Sequence, residues 1–364
     1  MQEAVKSCWA NPSSIHRDGQ MARHQLEKAR GQVAALLGCA AKQVVFTSGG
    51  TEAANLAVLG AVRSRPGERK HVITTAVEHP AVLSACAQLE REGVEVTYLG
   101  VDSRGVLDPE MFRRQLRPHT VLISCMHANN ETGVVQPVAE IGAIAREAGV
   151  VMHSDGVQAA GKIPVQVDSL GLDLYSVSAH KFYGAKGSGA FFVRGKLTLD
   201  ALFHGGRQEQ AQRPGTENVP GIAAMGAAAE VARKAEEAGR IAALRDRLEA
   251  AIVDRVAGVT VNGVGERTPN TTNLRFDGIE GEAMVIALDL RGFAVSTGAA
   301  CSSGAVKPSH VLLAMGLTAE QAKSSLRFSL GRSNDEQQVD ALVEAVAAAA
   351  AHLRRLSPSY AHAG

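Results

Sequence analysis

Residues 150–184 read VVMHSDGVQAAGKIPVQVDSLGLDLYSVSAHKFYG, two short apolar runs that close on Asp155 and, just past the end of the second, on Lys181. Each run has the length and content of a buried strand in an α/β sheet. The carboxyl ends of such strands form the edge at which these sheets bind ligands. An aspartate and a lysine therefore arrive at a ligand-binding edge on successive strands.

A lysine so placed can form a Schiff base. Pyridoxal phosphate needs that lysine to hold its aldehyde, and a carboxylate to keep its pyridine nitrogen protonated and electron-withdrawing. In isolation Asp155 would read as the cap of a helix starting at Val157, and Lys181 as a surface loop residue. Two further motifs change that reading.

The first is VVFTSGGTEAANLAVLGAV, residues 44–62. An apolar strand, Val44 to Phe46, runs into a small-residue turn, Ser48 to Thr51, and then a helical pattern from Glu52. A helix start reached through glycines presents unpaired N–H groups and the positive end of the dipole to a phosphate. Neither G-x-x-x-x-G-K-[ST] nor a G-x-G-x-x-G following a strand is present, so the usual marks of triphosphate cleavage and dinucleotide binding are missing. The second motif is TGAACSSGAVKPSH, residues 297–310, which sets Cys301 among small residues with Gly298, Gly304 and Pro308. Such neighbours offer little to pack against, so the stretch has the composition of a mobile loop rather than of a core cysteine's surroundings.

Composition narrows the classes. Thirty-eight basic and 37 acidic residues in 364 leave no charge excess to attract nucleic acid or an anionic membrane. The five cysteines, Cys8, Cys39, Cys86, Cys125 and Cys301, are scattered without a C-x-x-C pair, against a zinc site or a disulfide framework and in keeping with a reducing compartment. The start MQEAVKSCWANPSS lacks a secretory pattern, and no apolar run is long enough to span a bilayer, which places the protein in the cytoplasm.

From Val44 to Val193, strand-like runs (VVF, HVITTA, EVTYL, TVLISCM, VVMHS, DLYSVS, AFFV) alternate with helical patterns. That order predicts an α/β fold with a mostly parallel, helix-covered sheet. Beyond Gly221 the pattern changes: Ala223 to Val256 reads as one long helix, then TVNGV, TTNLRFDG, FAVST and SSLRFSL as short strands, and a last helix opens near Ser333. The expected organisation is a large cofactor-binding domain over 1–235 and a smaller α+β domain over 236–364 that carries Cys301.

The chain resembles a cysteine desulfurase of the class V aminotransferase group, the enzymes that mobilise sulfur for iron–sulfur clusters. The resemblance runs from about Asn11 to Tyr360 through NPSSIH, FTSGGTEAAN, EHPAV, HANNETGVVQP, HSDGVQAAGK, SAHKFYGAKGSGA, RPGTENVPG, TGAACSSG and SSLRFSLGR. It implies a fold-type I pyridoxal-phosphate transferase with a seven-stranded sheet. It also implies a role for each matching residue. Lys181 holds the cofactor aldehyde and Asp155 its ring nitrogen; His79 stacks on the ring and shuttles protons. Asn130 and Gln158 bond the phenolic oxygen, with Asn130 also facing the substrate. Gly50, Thr51, Ser178 and His180 belong to the phosphate site, and Thr216 resembles the residue that reaches the phosphate from the partner subunit, which implies a homodimer. Arg327 resembles the arginine that clamps the substrate carboxylate, a task suited to a planar guanidinium.

The implied reaction takes L-cysteine to L-alanine: Lys181 or His79 moves the α-proton and Cys301 attacks the substrate sulfur as thiolate, keeping it as a persulfide for an acceptor protein. TGAACSSG resembles the long-loop group of these enzymes. Family members carry a further N-terminal strand near the substrate carboxylate, whereas this sequence starts at Met1 just ahead of NPSSIH; the expectation is an intact cofactor site and weaker substrate affinity. No metal is implied. Two alternatives differ in class: another class V enzyme, aminotransferase or β-lyase, with no use for Cys301, and a non-catalytic sulfur-carrier subunit. His16, His24, His204 and His310 match no chemical role.

Overall fold

The computed structural model describes residues 1–195, 197–234, 236–298 and 307–356. Cys301 therefore lies outside the described residues. The chain divides into two compact units: 1–99, 108–128 and 136–235 form the first, and 100–107, 129–135 and 236–364 the second.

In the first unit the seven apolar runs become β1 (Val44–Thr47), β2 (His71–Thr75), β3 (Glu95–Leu99), β4 (Thr120–Ser124), β5 (Val151–Asp155), β6 (Leu174–Ser178) and β7 (Gly189–Val193). They make one sheet in the order β1-β7-β6-β5-β4-β2-β3. β3, β2, β4, β5 and β6 pair in parallel, while β7 runs antiparallel to both β6 and β1. All strands but β7 thus point the same way, and their carboxyl ends share one edge. Thr47 and Ser178 both register on Gly189, which brings the exits of β1 and β6 to either side of a single glycine.

Strands β1, β2, β5, β6 and β7 are buried along their whole length, as parallel strands covered on both faces must be. One face packs on a core that includes Ala53, Ala57, Val58, Val82, Cys86 and Leu89, which come from the helices after β1 and β2. Helix starts are set by their caps. His79 caps Pro80–Arg91 with Pro80 in the first turn, and His16 caps Arg17–Leu37 by accepting the Gly19 N–H. Arg30, on the latter helix, forms a buried bidentate pair with Glu209 at 2.7 Å for both bonds.

The second unit is built on an antiparallel sheet, β10-β9-β8, with β8 at Val259–Asn262, β9 at Thr271–Phe276 and β10 at Ser325–Ser329. Its core joins Leu274, Phe276, Leu326 and Phe328 to helices Ala238–Arg255 and Glu336–Leu356. Among the described residues no helix is long and apolar enough to cross a membrane.

Three expectations are corrected. The single long helix from Ala223 to Val256 is two, Val219–Lys234 and Ala238–Arg255, because the first buries Met225 and Ala229 in the first unit and the second buries Leu244, Leu248 and Ile252 in the other. FAVST forms no ladder; only Ser296 bridges, to Arg327, before the chain turns at Gly298 with φ +87°. The last helix runs from Glu336, since Asp335 accepts the Gln338 N–H and acts as its cap. The contacts of residues 100–107 and 129–135 place them in the second unit: Val264 donates to the carbonyl of Arg104, Thr268 to that of Gly133, and Asn273 to that of Glu131.

Candidate active site

The shared strand edge of the first unit gathers most of the residues singled out in the sequence. Gly50 opens the helical turn after β1, and a Cβ there would stand 2.8 Å from Val157 Cγ2 and 3.5 Å from Ser178 Cβ. The exits of β1, β5 and β6 thus close on each other at a point only glycine allows. A Cβ on Gly49 would meet nothing nearer than Ser178 Oγ at 3.9 Å, so the turn keeps open space on its other side. Ser178 Oγ lies 3.0 Å from His180 Nδ1. Burial, with Lys181 and Lys186 nearby, lowers the His180 pKa. Thr51 is exposed beside this turn.

Asp155 ends β5 and is 6% exposed. Its Oδ1 accepts the Val157 N–H at 2.9 Å. Burial pushes its carboxyl above the usual range, against that N–H and the charges of His79 and Lys181, both close enough to favour the carboxylate. A buried carboxylate held in this way gains most from a cationic N–H partner. Lys181 sits in the 3-10 turn Ala179–Phe182 directly after β6 and is exposed at its tip; the turn closes on Tyr183, whose φ of 68° is unusual for a side-chain-bearing residue. His79 Nδ1 accepts the Ala81 N–H at 3.1 Å. A neutral His79 ring therefore carries its proton on Nε2.

Behind this edge lies a buried layer that sequence reading passed over. Tyr175 packs so closely on Gly156 that a Cβ there would fall 2.2 Å from its hydroxyl, which meets His127 Nδ1 at 2.8 Å. Burial alone lowers the His127 pKa to about 4. Glu78, next to His79 and fully buried, accepts from Thr75 Oγ1 and from the Met126 N–H, both at 2.8 Å. Burial raises its pKa to about 8, with Asp155 adding to the rise. Glu78 stood in plain view in EHPAV; only its burial sets it apart from a surface glutamate.

The remaining candidates are placed differently. Gln158 is half-buried and its amide oxygen accepts from Lys162 Nζ. Thr216 is exposed on the segment before helix Val219–Lys234. Asn130 and Arg327 are in the second unit, where Arg327 Nη1 donates to the Asn130 carbonyl at 2.8 Å. Buried Arg327 Nε has no hydrogen-bond partner among the described residues, an orphaned donor suited to a carboxylate. Beside it Glu131 is buried; its Oε2 accepts from Ser309 Oγ at 2.5 Å. Burial raises the Glu131 pKa, opposed by Ser309, His310 and Arg327.

Taken as chemistry, the first unit offers a buried carboxylate, an amine on the next strand exit, an exposed histidine and a glycine turn with open space beside Ser178. A phosphorylated pyridine aldehyde fits these groups: the aldehyde meets an amine, the ring nitrogen a carboxylate and the phosphate a turn without side chains.

The family described as aminotransferase class V matches residues 1–342. The chain is 44% identical to cysteine desulfurase IscS of Dictyoglomus turgidum over 361 residues, covering 98% of this chain and 92% of that protein. Its fold is similar to that of a NifS-like protein of solved structure, with a TM-score of 0.88 at 34% identity over 96% of this chain and 94% of the other. It is likewise similar to SspA in complex with cysteine, with a TM-score of 0.81 at 33% identity over 91% and 95% of the two chains. Matches of this extent take in the sheet and its ligand edge alike, and the chain belongs to the class V aminotransferase family, among the cysteine desulfurases, which depend on pyridoxal phosphate.

Proposed function

We propose that this protein converts L-cysteine to L-alanine and keeps the sulfur on Cys301 as a persulfide, for delivery to an acceptor protein such as an iron–sulfur cluster scaffold. The observation that carries the proposal is the convergence of Asp155, His79 and Lys181 beside the Gly50 turn, on a chain whose relatives are named cysteine desulfurases. Pyridoxal phosphate supplies an electron sink for the substrate's Cα when bound. The N–H groups after Gly49, with Thr51, Ser178 and His180, would hold its phosphate; Asp155 would hold a proton at the ring nitrogen; His79 would cover the ring, and Asn130 and Gln158 would bond its phenolic oxygen.

Arg327 takes the substrate carboxylate, its orphaned Nε donor supporting the assignment. Lys181 or His79 accepts the α-proton. The Cys301 thiolate then attacks the substrate sulfur; the substrate's C–S bond breaks and its electron pair remains with the carbon skeleton, which leaves as alanine after protonation. Sequence places Cys301 with the long-loop enzymes. Thr216 reaches the phosphate site of a second copy, so the working form is a homodimer. Exposed apolar residues of the first unit support such an interface, among them Trp9 at 75%, Ile15 at 94% and Phe203 at 57%. The cytoplasm suits a chain that works through a free thiol.

The test is an assay of purified protein with L-cysteine for alanine and sulfide, with peptide mass spectrometry after brief exposure. One added sulfur on the Cys301 peptide, removable by a thiol reductant, is expected; Cys301→Ser should still show the spectral response to L-cysteine yet release no sulfur. Sulfide release at the wild-type rate from Cys301→Ser would instead favour a β-lyase.

A further inference from the structure

Glu52 follows directly on the turn Ser48 to Thr51 that is proposed to take the cofactor phosphate, and its side chain folds back onto that turn. Oε2 accepts the Ser48 N–H at 2.8 Å, and Oε1 accepts from Arg213 Nε at 2.9 Å. The Glu52 side chain is 10% exposed and that of Arg213 25%, so water screens the pair poorly. Burial works to raise the Glu52 carboxyl, yet the bonds from Arg213 and Ser48 outweigh it and hold it below the usual range. A carboxylate therefore fastens the very turn that has to receive a second anion. Its guanidinium partner comes from a segment that is held by other bonds as well. Glu209 pairs with Arg30 and accepts the Phe46 N–H at 2.8 Å; Gln210 Nε2 donates to the Lys42 carbonyl at 3.0 Å, and Gln208 Oε1 accepts the Gly215 N–H at 3.1 Å. Loss of the Arg213 side chain thus removes a charge and leaves the segment anchored.

We propose that Arg213 is a positioning residue for the cofactor phosphate that acts through Glu52: it neutralises the carboxylate that fastens the turn at Ser48, so that the turn keeps its shape without repelling the phosphate. This rests on the reading of the Gly50 turn as the phosphate site. Without Arg213, Glu52 is left as an uncompensated, poorly screened charge beside that site, and binding of a dianion suffers most. Without both charges, an amide at position 52 still accepts the Ser48 N–H and no longer opposes the phosphate.

The test measures how tightly cofactor-free protein binds pyridoxal phosphate and pyridoxal, which lacks the phosphate, from the absorbance of the bound ligand. Arg213→Ala should weaken pyridoxal phosphate roughly tenfold, the low end of what one unpaired charge does to a neighbouring ionic group, and leave pyridoxal near wild type. Arg213→Lys, which keeps the charge, should recover most of the loss. Glu52→Gln should bind pyridoxal phosphate at least as tightly as wild type, and the double variant Glu52→Gln/Arg213→Ala should regain most of what Arg213→Ala loses. Raising the ionic strength from about 0.01 M to about 1 M should shrink the Arg213→Ala defect. If Arg213→Ala fails to fold, Glu52→Gln and Arg213→Lys decide, and weaker binding of pyridoxal phosphate by Glu52→Gln than by wild type overturns the proposal. An equal loss for both ligands, a double variant no tighter than Arg213→Ala, or a defect that salt does not move also overturns it, and makes the pair a structural bridge. In those cases the wild type still prefers pyridoxal phosphate to pyridoxal; a wild type without that preference overturns the phosphate site itself, and the role of the pair with it.

Discussion

At the scale of single residues, the proposed chemistry rests on an amine and a carboxylate that share one strand edge. Lys181 is the amine placed there by β6, so borohydride reduction followed by peptide mapping should leave a pyridoxyl label on Lys181, and Lys181→Ala should lose the covalent link. A label on Lys162, whose ammonium is held by Gln158, or on Lys186 would refute the assignment. Asp155→Asn separates binding from chemistry. The amide still accepts the Val157 N–H and leaves the Gly50 turn untouched, so the cofactor should be retained. A neutral amide cannot hold a proton at the ring nitrogen, and turnover should fall by several orders of magnitude, on the order of a few kcal/mol in the barrier. Titration of cofactor retention beside kcat checks both halves.

At the scale of elements, Glu78 ties the exit of β2 to the exit of β4 through Thr75 and Met126, directly behind His79. Burial lifts its folded-state pKa to about 8, well above the 4.5 of a glutamate in the unfolded chain. Below pH 4.5 both folded and unfolded chains hold the proton, and the full contribution to stability is present. Between 4.5 and 8 the unfolded chain releases the proton first, so stability declines as pH rises, by on the order of a few kcal/mol in total. Glu78→Gln retains an acceptor for Met126 without that decline. Urea unfolding from pH 5 to 9 should therefore show the variant gaining on wild type as pH rises; parallel curves would mean that Glu78 is ionised in the fold. His71, at about 4, and His153, at about 3, work in the opposite direction, since burial keeps them neutral and stability is lost as pH falls below the unfolded histidine value. These buried groups arise because strand interiors carry polar residues that bond across the sheet, as His153 does to Ser124 and Ser176.

At the scale of the whole molecule, the proposed homodimer predicts complementation. If Thr216 serves the neighbouring copy, mixing Thr216→Ala with Lys181→Ala protomers should create heterodimers with one intact site, measured as desulfurase activity and tight cofactor retention above either parent. No recovery after verified subunit exchange would put Thr216 in its own subunit's site, or in none.

The sequence by itself determined the sheet, the order of its strands along the chain and the arrival of Asp155 and Lys181 at the exits of successive strands, because buried parallel strands are written as apolar runs and their exits as small polar turns. It also marked Gly50, a position where the side chains of Val157 and Ser178 occupy the space a Cβ would take. It could not show that Ala223–Val256 breaks where one core gives way to another, nor that FAVST pairs at a single residue, since both depend on partners distant in sequence. The same holds for Glu78, His127 and Glu131. Each reads as an ordinary polar residue beside a motif, and only tertiary packing decides its burial, its partner and hence its charge, because desolvation is a property of the surroundings and not of the residue.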